Sequence, residues 1–159
     1  MRILFGIFPL LAIPVAIYVL MAFGFGGSIA PPPDGLPADA VMPQVAPLQA
    51  TLDNVMMRLP MISGVSWELT VGDMLMLLAI GFLFLEVLKS TSTGTATIIN
   101  HAVSMLLFIA CLVLFLLGQD FATSTFFMLT VITLLDVLAG VVVTIIAARR
   151  DFGVAEGLG

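Results

Sequence analysis

Asp136 stands near the centre of the apolar run 121–148, which contains no other ionisable residue. A carboxylate at bilayer mid-depth costs about 2.5–3.5 kcal/mol on insertion scales, so its side chain belongs against protein or water rather than lipid. Such an acid can bind a proton, sit in an ion path, or hold helices together as a neutral hydrogen-bond donor. Helical spacing puts Thr125, Leu129, Thr133, Asp136, Gly140, Thr144 and Ala147 on one face, with Val131, Leu134, Leu138, Val142 and Ile145 opposite. Small and hydroxyl residues in one stripe mark a close helix–helix contact, and Gly140-x-x-x-Thr144 is a small-xxx-small pair. Asp136 is therefore expected to face the bundle or a partner. Pro14 and Cys111 lie near its level. Pro14 lacks an N–H, so it should leave the Leu10 carbonyl short of its usual donor and kink the first helix. A protonated Asp136 could supply that donor, and Tyr18 a nearby hydroxyl.

A second polar constellation gathers at helix ends. Glu86 and Lys89 are three apart, within reach on one helix face. His101 follows the next turn at similar depth, and Arg149, Arg150 and Asp151 close the last helix. These six residues form either a proton-handling or anion site, with His101 titrating near neutrality, or an interfacial salt-bridge cluster that fixes helix ends. The second reading is preferred, since long cationic side chains snorkel routinely. Counted from the inner ends, Asp136 lies about 18 Å deep and His101 about 5 Å, which argues against a direct bond between them.

Other chemistry finds little support. One histidine rules out a bis-histidine haem site within the chain, and the methionines serve equally well in packing. The single cysteine, Cys111, gives neither an internal disulfide nor a thiolate metal site. Ser104 and His101 are three apart, but no second carboxylate is expected at their depth to complete a triad. The glycines at 24–27 lack the lysine and helix start of a phosphate loop. A net charge of −5 offers no basic surface for nucleic acid. No catalytic, cofactor or metal site is expected, and the chain reads as a non-enzyme. Lipid or pigment contact stays open.

The elements that must carry these residues follow from composition. With 61% hydrophobic and 9% charged residues, the chain is far from the roughly 25% charged surface of soluble domains and belongs in a membrane. Four stretches approach the roughly 20 residues needed to cross a hydrocarbon core of about 30 Å. They predict helices over 1–23, 71–89, 98–118 and about 124–148, an all-α up-down bundle of four transmembrane helices. Arg2, Lys89, Arg149 and Arg150 fall on one side of such a bundle and only Arg58 on the other. The positive-inside rule then puts both termini in the cytoplasm and 24–70 outside. The first segment exceeds the h-region of a signal peptide, and Pro31 follows the small-residue site Ser28-Ile29-Ala30, so it is expected to stay as a helix.

Residues 24–47 hold six of the nine prolines and read as an extended strap. Leu48, Leu52, Val55, Met56 and Leu59 then follow helical spacing between Pro47 and Pro60. They predict a short amphipathic helix over about 48–59 on the outer interface, either docking a partner or lying on the bundle. Trp67 marks the same interface. Thr70-Val71-Gly72-Asp73 fits a capping box at the start of the second span, which gives Asp73 a structural role.

Glu86-Val87-Leu88-Lys89, His101, Ala122-Thr123-Ser124-Thr125-Phe126-Phe127, Asp136-Val137-Leu138-Ala139-Gly140 and Ala148-Arg149-Arg150-Asp151 resemble small four-span inner-membrane proteins of alphaproteobacteria. The resemblance covers about residues 67–152. It implies a bacterial inner membrane and carries no activity. Two functions are expected on these grounds. The first is a non-catalytic accessory subunit or assembly factor of a larger membrane complex. The alternative is a small oligomeric proton-coupled transporter or channel that uses Asp136 with Glu86 and His101.

Overall fold

A computed structural model describes residues 8–25, 46–90 and 95–156, with side chains for all of these except 95–97 and 147–156. Its elements are α1 (Ala12–Phe25), α2 (Gln49–Leu52), β1 (Val55–Pro60), β2 (Ser66–Thr70), α3 (Val71–Ser90), α4 (Thr95–Leu117) and α5 (Ser124–Glu156). A 3-10 turn at Gln119–Phe121 joins α4 to α5. Three helical stretches, Val71–Ser90, Ile98–Leu117 and Ser124–Ile146, are long and apolar enough to cross a membrane. The chain is thus a mostly helical, multi-pass membrane protein.

Both α3 and α4 pack mainly on α5, which lies between them. Gly72 at the start of α3 sits against Thr125 at the start of α5, so these two run in the same direction and α4 returns. A Cβ at Gly72 would come within 2.9 Å of the Thr125 hydroxyl and 3.4 Å of the Leu52 carbonyl, so the close approach depends on glycine. Caps set where the helices begin. Thr70 and Asp73 form the expected capping box, with Thr70 N–H donating to Asp73 Oδ2 at 3.0 Å and Asp73 N–H to Thr70 Oγ1 at 3.1 Å. Thr123 caps α5 by accepting from the Phe126 N–H at 3.1 Å.

α1 is shorter than expected. Its 14 residues rise about 21 Å, less than a hydrocarbon core. Residues 1–7 lie outside the described part. The kink foreseen at Pro14 is absent because Pro14 falls in the first helical turn, where a missing N–H breaks no bond. The Leu10 carbonyl is not left short either, since it accepts from Ile13 N–H at 3.0 Å. From this start α1 reaches across the bundle. The Tyr18 hydroxyl donates to the Asp120 carbonyl at 3.0 Å and lies 2.6 Å from Thr123 Oγ1. Its ring packs on Phe126 at 4.7 Å between centroids, and Phe121 meets Phe126 edge-on at 4.9 Å. Contacts of this kind contribute about 0.5–1.5 kcal/mol beyond the area they bury. Leu11, Val15, Leu75, Ala79, Cys111, Leu129 and Ile132 continue the same core.

The amphipathic helix over 48–59 is corrected. Only Gln49–Leu52 is helical, and Val55–Pro60 pairs antiparallel with Ser66–Thr70. Helical spacing is valid for the first turn, where Leu48 and Leu52 are fully buried. Beyond it, Arg58 faces Glu68 across the ladder with a 3.0 Å ion pair, and Leu59 faces Trp67. Gly64 makes the reversal possible with φ +83, while Met61 N–H donates to the Val65 carbonyl at 2.9 Å. Long-range pairing thus overrides a short helical pattern. Most of the proline-rich strap, 26–45, lies outside the described residues.

Candidate functional site: a buried polar cluster between α3, α4 and α5

Glu86 is completely buried, one turn before the end of α3. A carboxylate there needs partners on both oxygens, because an unpaired charge in the interior costs several kcal/mol. Oε2 accepts the Leu10 N–H at 2.6 Å. Oε1 accepts from Lys89 Nζ at 3.2 Å and from the Asn100 amide. Lys89 is shared in turn, donating to the Phe8 carbonyl at 2.7 Å and to Asn100 Oδ1 at 3.0 Å. This knot ties the chain ahead of α1 to α3 and α4. Its energy resides in mutual hydrogen bonding rather than in the ion pair alone.

Asp136 lies on the inward face of α5, 3% exposed, in line with buried Leu129, Thr133 and Gly140. The threonines of that face bond their own helix. Thr133 Oγ1 donates to the Thr130 carbonyl at 2.7 Å, and the exposed Thr144 donates to the Gly140 carbonyl at 2.9 Å. Neither serves the carboxyl. The groups that act electrostatically on Asp136 are Ser104 and His101 from α4 and Glu86 and Lys89 from α3. Ser104 is 1% exposed, and its Oγ faces the carboxyl without reaching good hydrogen-bond geometry. His101 packs its ring on Gly140, where an added Cβ would overlap the imidazole. Both ring nitrogens are buried and without a hydrogen-bond partner.

Asp136 and His101 are therefore one helical turn apart in level, closer than depth counting from the sequence suggested. The reason is that α5 continues to Glu156, so Ala148 does not mark its end. Residues counted back from Ala148 and forward from the start of α4 do not share an origin. No direct Asp136–His101 hydrogen bond is present.

The remaining candidates separate from this cluster. Tyr18 turns to Asp120 and Thr123 at the opposite end of the bundle, and Pro14 is buried in the first turn of α1. Cys111 is buried against Thr133, about one turn nearer the start of α5 than Asp136. The side chains of Arg149, Arg150 and Asp151 lie outside the described residues. Sequence reasoning passed over Asn100 entirely and used Ser104 only to dismiss a triad. The available signal was Asn100, His101 and Ser104 within two turns of an otherwise apolar helix.

A carboxylate does lie at the level of Ser104 and His101, which the sequence did not suggest. A nucleophilic triad nevertheless requires histidine to bridge serine and acid through both nitrogens. Here Ser104 faces the acid directly and the ring is unbridged. Among the described residues no group of three His, Cys, Asp or Glu side chains is placed to hold a metal ion. What the cluster can do is exchange and hold protons, or fix three helices. Compared with known families, with curated proteins and with solved structures, the chain matches none.

Proposed function

We propose that this multi-pass membrane protein, with its internal polar knot and exposed apolar hairpin, is a non-catalytic accessory subunit or assembly factor of a larger membrane complex. The observation that carries this reading is the β1–β2 hairpin. Met56, Met57, Leu59, Met61, Ile62, Val65 and Trp67 are all exposed, and Ile62 at the turn is wholly so. A two-stranded sheet is marginal in water, and this one keeps little of its apolar surface on its own bundle. The three long helices support the same reading, since most of each span's surface is open to lipid or neighbouring helices.

In this proposal the chain has four spans in a bacterial inner membrane, with both termini cytoplasmic. Support comes from the basic residues Arg2, Lys89, Arg149 and Arg150 on one side. It also comes from α1, whose start is tied to Glu86 and whose Tyr18 reaches the α4–α5 turn. The hairpin then lies outside. Purification from the native membrane in mild detergent is expected to bring down a stoichiometric partner, and Ile62→Asp is expected to release it. A clean homomer, unchanged by Ile62→Asp, would overturn the proposal.

One observation favours a second reading, a small oligomeric proton-coupled transporter or channel. It is the convergence of Asp136, Glu86 and His101 on one buried cluster. On that reading Asp136→Asn abolishes transport in sealed vesicles while expression and membrane insertion persist. Transport that survives the substitution rejects it.

A further inference from the structure

Glu86 and Lys89 bond each other and cancel in charge. Asp136 and His101 remain, facing the same interior. With Asp136 ionised and His101 neutral, the cluster would carry a net negative charge at low dielectric, which is the costly arrangement. Among these four groups, neutrality requires one more proton. It resides either on the Asp136 carboxyl or on His101 as imidazolium beside a carboxylate. The structure leaves acceptors for that proton. Ser104 Oγ and both His101 nitrogens are buried and without hydrogen-bond partners, although buried polar groups are normally satisfied. Ser104, at 1% exposure, is aimed at Asp136.

We infer that Asp136, Ser104 and His101 make one binding site for a single exchangeable proton, set between α4 and α5 and counterbalanced by the Glu86–Lys89 pair. Transfer breaks the Asp136 O–H bond and forms an N–H bond on His101, leaving carboxylate and imidazolium. Total charge is unchanged, so the proton can move inside the bundle with no ion entering it. Ser104 can donate to either form of the acid and accept from the ring, which makes it the positioning residue. Among the described residues, the charged and titratable groups facing the site are Glu86 and Lys89 from α3, His101 from α4 and Asp136 from α5. The inference goes beyond the accessory-subunit reading and stands whether or not the chain has a partner.

His101 is the only histidine, so its imidazole can be observed alone. The test uses the full chain with a histidine-free tag in lipid nanodiscs, labelled with nitrogen-15 histidine and titrated by NMR. The imidazole midpoint should differ between the wild type and Asp136→Asn, the effect of a coupled titratable group close by. Equal midpoints in a folded Asp136→Asn protein overturn the inference. Should that variant fail to fold, infrared spectra of the wild type and His101→Gln decide. The pH at which the protonated-carboxyl band of Asp136 disappears should differ between the wild type and His101→Gln. The same transition in both proteins overturns the site. A wild-type midpoint that moves with sodium at fixed ionic strength would assign the cavity to a cation instead and also overturn it.

Discussion

Gly140 owes its place to the imidazole that lies on it. A Cβ there overlaps His101, including the ring atom nearest its own helix, so the imidazole or the helix must shift. Gly140→Ala is therefore expected to destabilise the protein by about 1–3 kcal/mol, the usual range for overpacking, read as a lower unfolding temperature in detergent. Glu86 is the other decisive residue. Glu86→Ala removes the acceptor of the Leu10 N–H and of the Lys89 and Asn100 side chains, a loss of about 3 kcal/mol for a broken buried network. Hydrogen exchange should accelerate first at Leu10 to Ile13, where α1 begins. Uniform protection across α1 in that variant would show that the knot does not hold it. The sequence made Glu86 and Lys89 legible as a pair because they are three apart on one helix. It hid Asn100 and Ser104 because a neutral polar residue in an apolar helix carries no charge to flag it. Their partners, set by how α3 and α4 meet α5, are visible only in three dimensions.

The elements divide along similar lines. Helices α3, α4 and α5 were readable because lipid enforces about 20 apolar residues and internal backbone bonding. The start of α3 was readable as well, from a local four-residue capping signal. The segment 48–70 was not. Its helical spacing and its strand residues conflict, and the outcome depends on pairing between residues as far apart as Val55 and Thr70. The turn offers a test of that outcome. Gly64 holds φ +83, a conformation that costs other residues about 1–2 kcal/mol. Gly64→Ala should loosen the hairpin with little effect on the bundle. Trp67, the only tryptophan, pairs with Leu59 and reports the change through its fluorescence. An emission spectrum and unfolding curve identical to wild type would show that the hairpin does not rely on this turn.

At the scale of the molecule, two apolar surfaces of different kinds coexist. The flanks of α3, α4 and α5 suit lipid, whereas the hairpin projects apolar side chains from an element too small to stand alone. Ile62→Asp lies far from the core, so stability of the isolated protein should change by less than about 0.5 kcal/mol, measured by thermal unfolding. Loss of association with unchanged stability would separate the hairpin's role from that of the bundle. Composition made the membrane class plain, and the proportions of lipid, partner and self-contact were beyond it. They depend on which faces the fold leaves open.

The bond from Leu10 to Glu86 also sets an order of events. The two groups are 76 residues apart in sequence. At about 5–20 residues per second, ribosomal synthesis delivers Glu86 roughly 4–15 seconds after Leu10. Asn100 and Lys89, which complete the knot, arrive with it or later. Until then the beginning of α1 has no acceptor for its N–H and no neighbour for Leu11 and Val15. Helix α1 is thus seated only after α3 and the start of α4 have been made, and the nascent chain must shelter it until then.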